Sequence, residues 1–141
     1  MYYNGFGGFS KDRKKYIIKT NEKNTPAPWS HIIANRNFGT IVTVNGGGYV
    51  WSNNSRENKI TTWSNDPVGD KPSEKIWIEC GNKVLNVLPY ENLIDYEIEF
   101  GFGYAKYKYA GNDVAVETTV IVPIDKNKKV LKVDVKNMTE N

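Results

Sequence analysis

Apolar and polar side chains alternate one for one through the second half of this chain. Tyr96, Ile98 and Phe100 fall on one side of an extended segment, and Asp95, Glu97 and Glu99 fall on the other. That is the period of a half-buried strand. Tyr104–Tyr109 and Val114–Val122 read as two further strands, joined through Ala110-Gly111-Asn112-Asp113. The turn composition predicts a hairpin, with Val114, Val116, Val120 and Val122 on one face. Pro123 and the polar run Asp125-Lys126-Asn127-Lys128 end the second strand, since proline donates nothing to a sheet ladder. Leu131, Val133 and Val135 then alternate with Lys132, Asp134 and Lys136 in a third. Consecutive strands joined by short turns predict an antiparallel meander.

The first half is less regular. Tyr16-Ile17-Ile18, Ile41–Val44 and Tyr49–Trp51 have strand composition, and Ile76–Val87 is expected to fold back through Cys80-Gly81-Asn82-Lys83. Ser64–Ser73, which contains Pro67, Gly69 and Pro72, reads as a loop. Gly5-Phe6-Gly7-Gly8-Phe9 and Gly101-Phe102-Gly103 are expected to be turns or bulges. Neither leads from a strand into a helix, as a phosphate-cradling loop must. No helix longer than about three turns is predicted. Short strands separated by turn signals predict an all-β fold, an antiparallel β-sandwich.

Composition narrows the class. A chain of 141 residues suffices for one domain, or for part of one, but not for two ordinary ones. Nine Tyr, four Trp and twelve Gly favour strands and turns over helices. The net charge of +3 is dispersed among mixed Lys, Glu and Asp, which serves solubility and argues against a nucleic-acid partner. A single cysteine, Cys80, permits no intrachain disulfide, and a reducing compartment is its natural setting. With no leader-like start and no apolar run near membrane-spanning length, a cytoplasmic location and no membrane partner are expected. The sequons at Asn53 and Asn137 are then chance matches. The chain stops after a strand that would lie at a sheet edge, and the natural polypeptide is expected to continue.

Few residues suggest chemistry. His31 is the only histidine, and a packed or hydrogen-bonded loop position suits it better than a catalytic one. One His and one Cys without clustered spacing predict no metal site, and no cofactor motif is present. Glu97 and Glu99 share a strand face; a glycosidase pairs carboxylates, but adjacent acids on a solvated strand surface are ordinary.

The densest segment is Gly46-Gly47-Gly48-Tyr49-Val50-Trp51-Ser52-Asn53-Asn54-Ser55-Arg56, continued by Lys59-Ile60-Thr61-Thr62-Trp63. Three glycines imply that backbone comes close to something there. Two interpretations stand. Tyr49, Trp51, Arg56 and Trp63 form a sugar-facing surface, with rings stacking on C–H faces and polar groups taking hydroxyls; or the run is a β-bulge with core aromatics behind it, Trp29 and Trp51 filling the sandwich.

Taken in order, Thr25-Pro26-Ala27-Pro28-Trp29, Asn35, Gly39, Gly46-Gly47-Gly48-Tyr49, Arg56, Ile60-Thr61, Pro67, Gly101-Phe102-Gly103-Tyr104, Gly111, Glu117, Val122-Pro123 and Asn137 resemble the N-terminal part of cellobiose and chitobiose phosphorylases. These are the inverting enzymes of glycoside hydrolase family 94, formerly glycosyltransferase family 36. The resemblance implies a sandwich of the galactose-mutarotase-like supersandwich type, joined by a linker to a catalytic (α/α)6 barrel. The barrel holds the general acid and the phosphate site, so residues 1–141 are expected to be the N-terminal β-sandwich domain or its first portion, with no catalytic residue. Inorganic phosphate is the co-substrate of the full-length enzyme, and phosphate rather than water attacks the anomeric carbon. The implied partners are a β-linked gluco-disaccharide or oligosaccharide, the downstream barrel of the same polypeptide, and a second subunit in a homodimer. A free-standing carbohydrate-binding module and a purely structural dimerisation domain are the alternatives. Relatives commonly carry Arg-His where this chain has Glu99-Phe100, and often two basic residues where it has Asn58-Lys59, which bears on the choice of sugar.

Overall fold

A computed structural model describes residues 3–20, 24–90 and 96–139. Every regular element among them is a strand: β1 (Gly7–Phe9), β2 (Lys15–Lys19), β3 (Ser30–Ala34), β4 (Phe38–Thr43), β5 (Gly48–Ser52), β6 (Trp77–Cys80), β7 (Lys83–Asn86), β8 (Tyr96–Gly101), β9 (Tyr104–Ala110), β10 (Val114–Ile121) and β11 (Val130–Asn137). One sheet runs β1-β2-β8-β9-β10-β11, a second runs β3-β4-β5, and β6-β7 is a separate hairpin. All pairings are antiparallel. The expected meander is β8 to β11, and the expected fold-back at Cys80–Lys83 is the β6-β7 hairpin. Asp95 lies outside the described residues.

Register explains the layering. Ile18, Ile98, Tyr107, Thr118 and Val133 lie side by side across β2, β8, β9, β10 and β11, and the first four are buried. Opposite them the second sheet offers Ile33, Phe38, Val42 and Val50, and the segment after β7 adds Val87, Leu88 and Tyr90 to the same core. Two sheets each apolar on one face must bury those faces against each other. The hydroxyls of Tyr107 and Thr118 are paired across this core, Tyr107 Oη donating to Thr43 O at 2.7 Å and Thr118 Oγ1 to Val87 O at 2.6 Å, whereas the buried Tyr90 hydroxyl has no hydrogen-bond partner among the described residues. A buried hydroxyl without a partner costs more than the bond contributes.

Three expectations are corrected. Gly5–Phe9 is not only a turn, because Gly7–Phe9 pairs with Tyr16–Ile18 as β1; a Cβ on Gly7 would stand 2.5 Å from Ile17 O, so glycine permits the approach that strand propensity scores against. His31 lies on strand β3 rather than in a loop. That strand was hidden because Ile32 faces out and Ile33 faces in, an adjacent apolar pair that breaks the alternation. Glu99 is not solvated. Its carboxylate is buried beneath Lys15 and Lys108, at 2.8 and 2.5 Å, and Lys108 also reaches Glu97 at 3.1 Å. Long lysine stems from β2 and β9 lie across the acid and keep their ammonium groups at the surface.

Candidate functional site

The glycine run forms the β4-β5 connection, and what its backbone approaches is the protein itself. A Cβ on Gly47 would lie 2.5 Å from Asp70 Oδ1, and one on Gly48 would lie 2.0 Å from Ile41 O. Gly48 also has φ 126°, a conformation that side chains rarely adopt. Asp70 is buried and accepts a hydrogen bond from Thr43 Oγ1 at 2.5 Å, while Gly47 N donates to the same hydroxyl at 2.8 Å. Burial pushes the Asp70 carboxyl above its ordinary range, against the Thr43 hydroxyl.

Tyr49 and Trp51 leave β5 on the face opposite Val50, and therefore outside the sandwich core. Trp51 lies across Gly39, its cross-strand partner, where a Cβ would stand 2.3 Å from ring atom Cζ2. Glycine at that site is what lets an indole lie flat on the sheet. Residues 58–61 return along the β5 edge: Ile60 N donates to Val50 O at 2.7 Å and Ser52 N donates to Asn58 O at 3.1 Å. This return brings Trp63 onto Tyr49, stacked with centroids 4.7 Å apart, while Trp51 is tilted against Tyr49 at 5.5 Å. Lys59 Nζ sits 5.5 Å from the Tyr49 ring centre, within reach of a cation–π attraction.

The structure therefore brings Tyr49, Trp51 and Trp63 together and leaves Arg56 apart. Arg56 sits in the turn beyond β5, 90% exposed and paired with Glu57 at 3.1 Å. The cation over the Tyr49 ring is Lys59. Tyr49 is only 5% exposed and donates from Oη to Ser55 O at 3.1 Å, so it supports the cluster, and Trp51 and Trp63, partly exposed, form its outer surface. Trp29 packs against the core beside Tyr16 and Phe6, as the bland interpretation expected; Trp51 does not, because strand register places it on the other face. Sequence reasoning named Lys59 in the run without giving it a role, and it missed Asp70, which comes from the following loop and had no local signal.

Glu99 and Phe100, one of the two pairs that depart from the phosphorylase pattern, have structural partners. Glu99 anchors the two lysines, and Phe100 stacks on His31 at 5.1 Å and 13°. His31 Nε2 lies 2.9 Å from Gly101 O, and burial holds the imidazole below its ordinary value of 6.5. Among the described residues no group of His, Cys, Asp and Glu is arranged to hold a metal ion, and no helix is long and apolar enough to cross a membrane.

A family model described as "Glycosyl hydrolase 94, supersandwich domain" matches residues 13–141. The chain is 30% identical to a protein named cyclic beta-(1,2)-glucan synthase NdvB of Rhizobium meliloti (strain 1021), over 96% of this chain and 5% of that protein. It is 27% and 24% identical to N,N'-diacetylchitobiose phosphorylases of Vibrio furnissii and Vibrio proteolyticus, over 96% of this chain and 18% of each.

Proposed function

Because the chain belongs to the glycoside hydrolase 94 supersandwich family, we propose that it is the N-terminal sandwich, or the first portion of it, of an inverting glycoside phosphorylase. The substrate class is a β-linked gluco-disaccharide or oligosaccharide, with inorganic phosphate as co-substrate. The observation that carries this proposal is the family match over residues 13–141 together with chitobiose phosphorylases aligned over 96% of the chain. The chain spans only 18% of those phosphorylases, and the reacting groups are assigned to a barrel on the same polypeptide. The sandwich then acts by shaping the approach to that barrel and by subunit contact. The exposed, unpaired Cys80 fits a reducing cytoplasm.

If this domain touches sugar through its aromatic cluster, Trp51 and Trp63 supply the stacking surface, Tyr49 holds them in place, and Arg56 reaches a hydroxyl from the neighbouring turn. The full polypeptide is expected to release a sugar 1-phosphate from a β-linked disaccharide in phosphate buffer, and the 141-residue chain to release none. Turnover by this chain in isolation would overturn the proposal. Titration of the chain with a glucan panel, followed by tryptophan fluorescence, tests the sugar contact: Trp51→Ala or Trp63→Ala weakens binding if the cluster is used. Binding by a polypeptide with no phosphorolysis would support a free-standing module instead. Unchanged affinity with lost dimerisation would support an assembly domain.

The 30% identity to a cyclic β-(1,2)-glucan synthase favours a second substrate class, β-(1,2)-linked glucans. Including β-(1,2)-linked gluco-oligosaccharides beside β-(1,4)-linked ones in the turnover assay separates the two.

A further inference from the structure

A cleft of about 370 Å³ lies where β2 and β3 meet the turn between β8 and β9. Its size falls within the ~300–1,000 Å³ of small-molecule sites. One wall is a run of edge-on rings: Trp29 against Tyr16 at 6.1 Å, and Tyr16 against Phe9 at 5.1 Å. The other is the His31–Phe100 stack. Phe102 stands at the lip on the β8-β9 turn, 84% exposed, and Phe9 is 52% exposed. Large apolar groups left in water around a concavity mark a place where something binds.

The charge around this cleft has one sign. Arg13 and Lys14, in the β1-β2 turn, line it together with Lys15, and among the described residues no carboxylate does. Lys15 is committed to Glu99 on the outer face of the sheet. The acid of that turn, Asp12, accepts from Ser10 Oγ at 2.5 Å and from Lys14 N at 3.2 Å, which orders the turn. Its charge opposes Lys14 in part and leaves the Arg13 guanidinium without an acidic partner among the described residues.

We propose that this cleft binds a phosphorylated hexose, the pyranose ring lying against the aromatic wall and the phosphate meeting Arg13, with Lys14 beside it. Aromatic faces take the C–H side of a sugar, and a guanidinium is the side chain whose fork best fits phosphate. The cationic rim is independent of the family assignment; the choice of a sugar rests on the function proposed above.

The single histidine lies in the cleft wall and makes the test direct. Its ring proton resonances are followed by NMR while the chain is titrated with glucose 1-phosphate, glucose or inorganic phosphate, at slightly alkaline pH. Glucose 1-phosphate is expected to shift the His31 signals saturably, and glucose and phosphate each to bind at least about tenfold more weakly. Arg13→Asn, chosen because asparagine tolerates the φ of 57° at that position, is expected to weaken binding about tenfold, and Phe102→Ser several-fold. Both residues are exposed, and an unchanged His31 spectrum before ligand shows that the cleft has survived. No saturable shift, equal binding of phosphate alone or of glucose alone, or an unaffected Arg13→Asn would each overturn the proposal. The phosphorolysis assay on the full polypeptide reads the family function separately, so either result can fail without the other.

Discussion

Single positions in this protein are decided by what stands opposite them. Gly48 combines a positive φ with a carbonyl oxygen 2.0 Å from where a Cβ would lie, so Gly48→Ala must displace the β4 backbone. A loss of about 1–3 kcal/mol is expected, read as a lower urea midpoint. The glycine run announced this closeness in the sequence but not its causes, the β4 carbonyl of Ile41 against Gly48 and the Asp70 carboxylate against Gly47. His31 gives a second test at this scale. Burial lowers its pKa below 6.5, so the folded chain binds the proton less readily than the unfolded one. The associated stability is present above pH 6.5 and is lost as the pH falls through the lower folded value. An NMR titration of the only histidine is expected to show a midpoint below 6.5; a midpoint above it would mean that the carbonyls of Gly101 and Tyr104 outweigh desolvation.

Strands were legible wherever one face is apolar and the other charged. The alternation along β8, β9, β10 and β11 is visible in the sequence because water lies on one side only. It fails at β1, which is mostly glycine, and at β3, where Ile32 points outward. The charged face of the large sheet was misjudged for a related reason: a pattern shows which residues share a face, not whether neighbouring side chains cover it. Glu99 is the test. Hydrogen bonds and charge from Lys108 and Lys15 outweigh its burial and hold the carboxyl below its ordinary value of 4.5. Its contribution is therefore present above about pH 4.5 and lost as the pH falls through the depressed value. Glu99→Gln is expected to cost about 1 kcal/mol near neutral pH, and the difference from the parent in urea unfolding is expected to vanish in acid. A constant difference across pH would remove the ion pairs from the account.

For the molecule as a whole, the two sheets are tied by apolar packing, by the buried Tyr107–Thr43 bond and by the His31–Gly101 contact, while the Thr118–Val87 bond holds the segment after β7 against them. Tyr107→Phe removes the bond to Thr43 O and leaves that carbonyl without its hydroxyl partner; about 1–2 kcal/mol should be lost, measured by denaturant unfolding. Retained stability would mean that the Gly46 N–H, which already donates to Thr43 O at 3.0 Å, satisfies the carbonyl by itself. The sequence alone determined that the chain is built of strands, that its second half is a meander, and which family it belongs to, because periodicity, turn residues and motif order are local properties of a chain. It also marked the residues around the glycine run as unusual. Only the tertiary structure decided which rings meet. Cross-strand register put Trp51 outside the core and over Gly39, the return of residues 58–61 set Trp63 on Tyr49 and Lys59 beside it, and Arg56 was left in the solvent. The cleft of Trp29, His31 and Phe102 likewise has no signature in one dimension, since its walls come from segments that become neighbours only when the sheets pair.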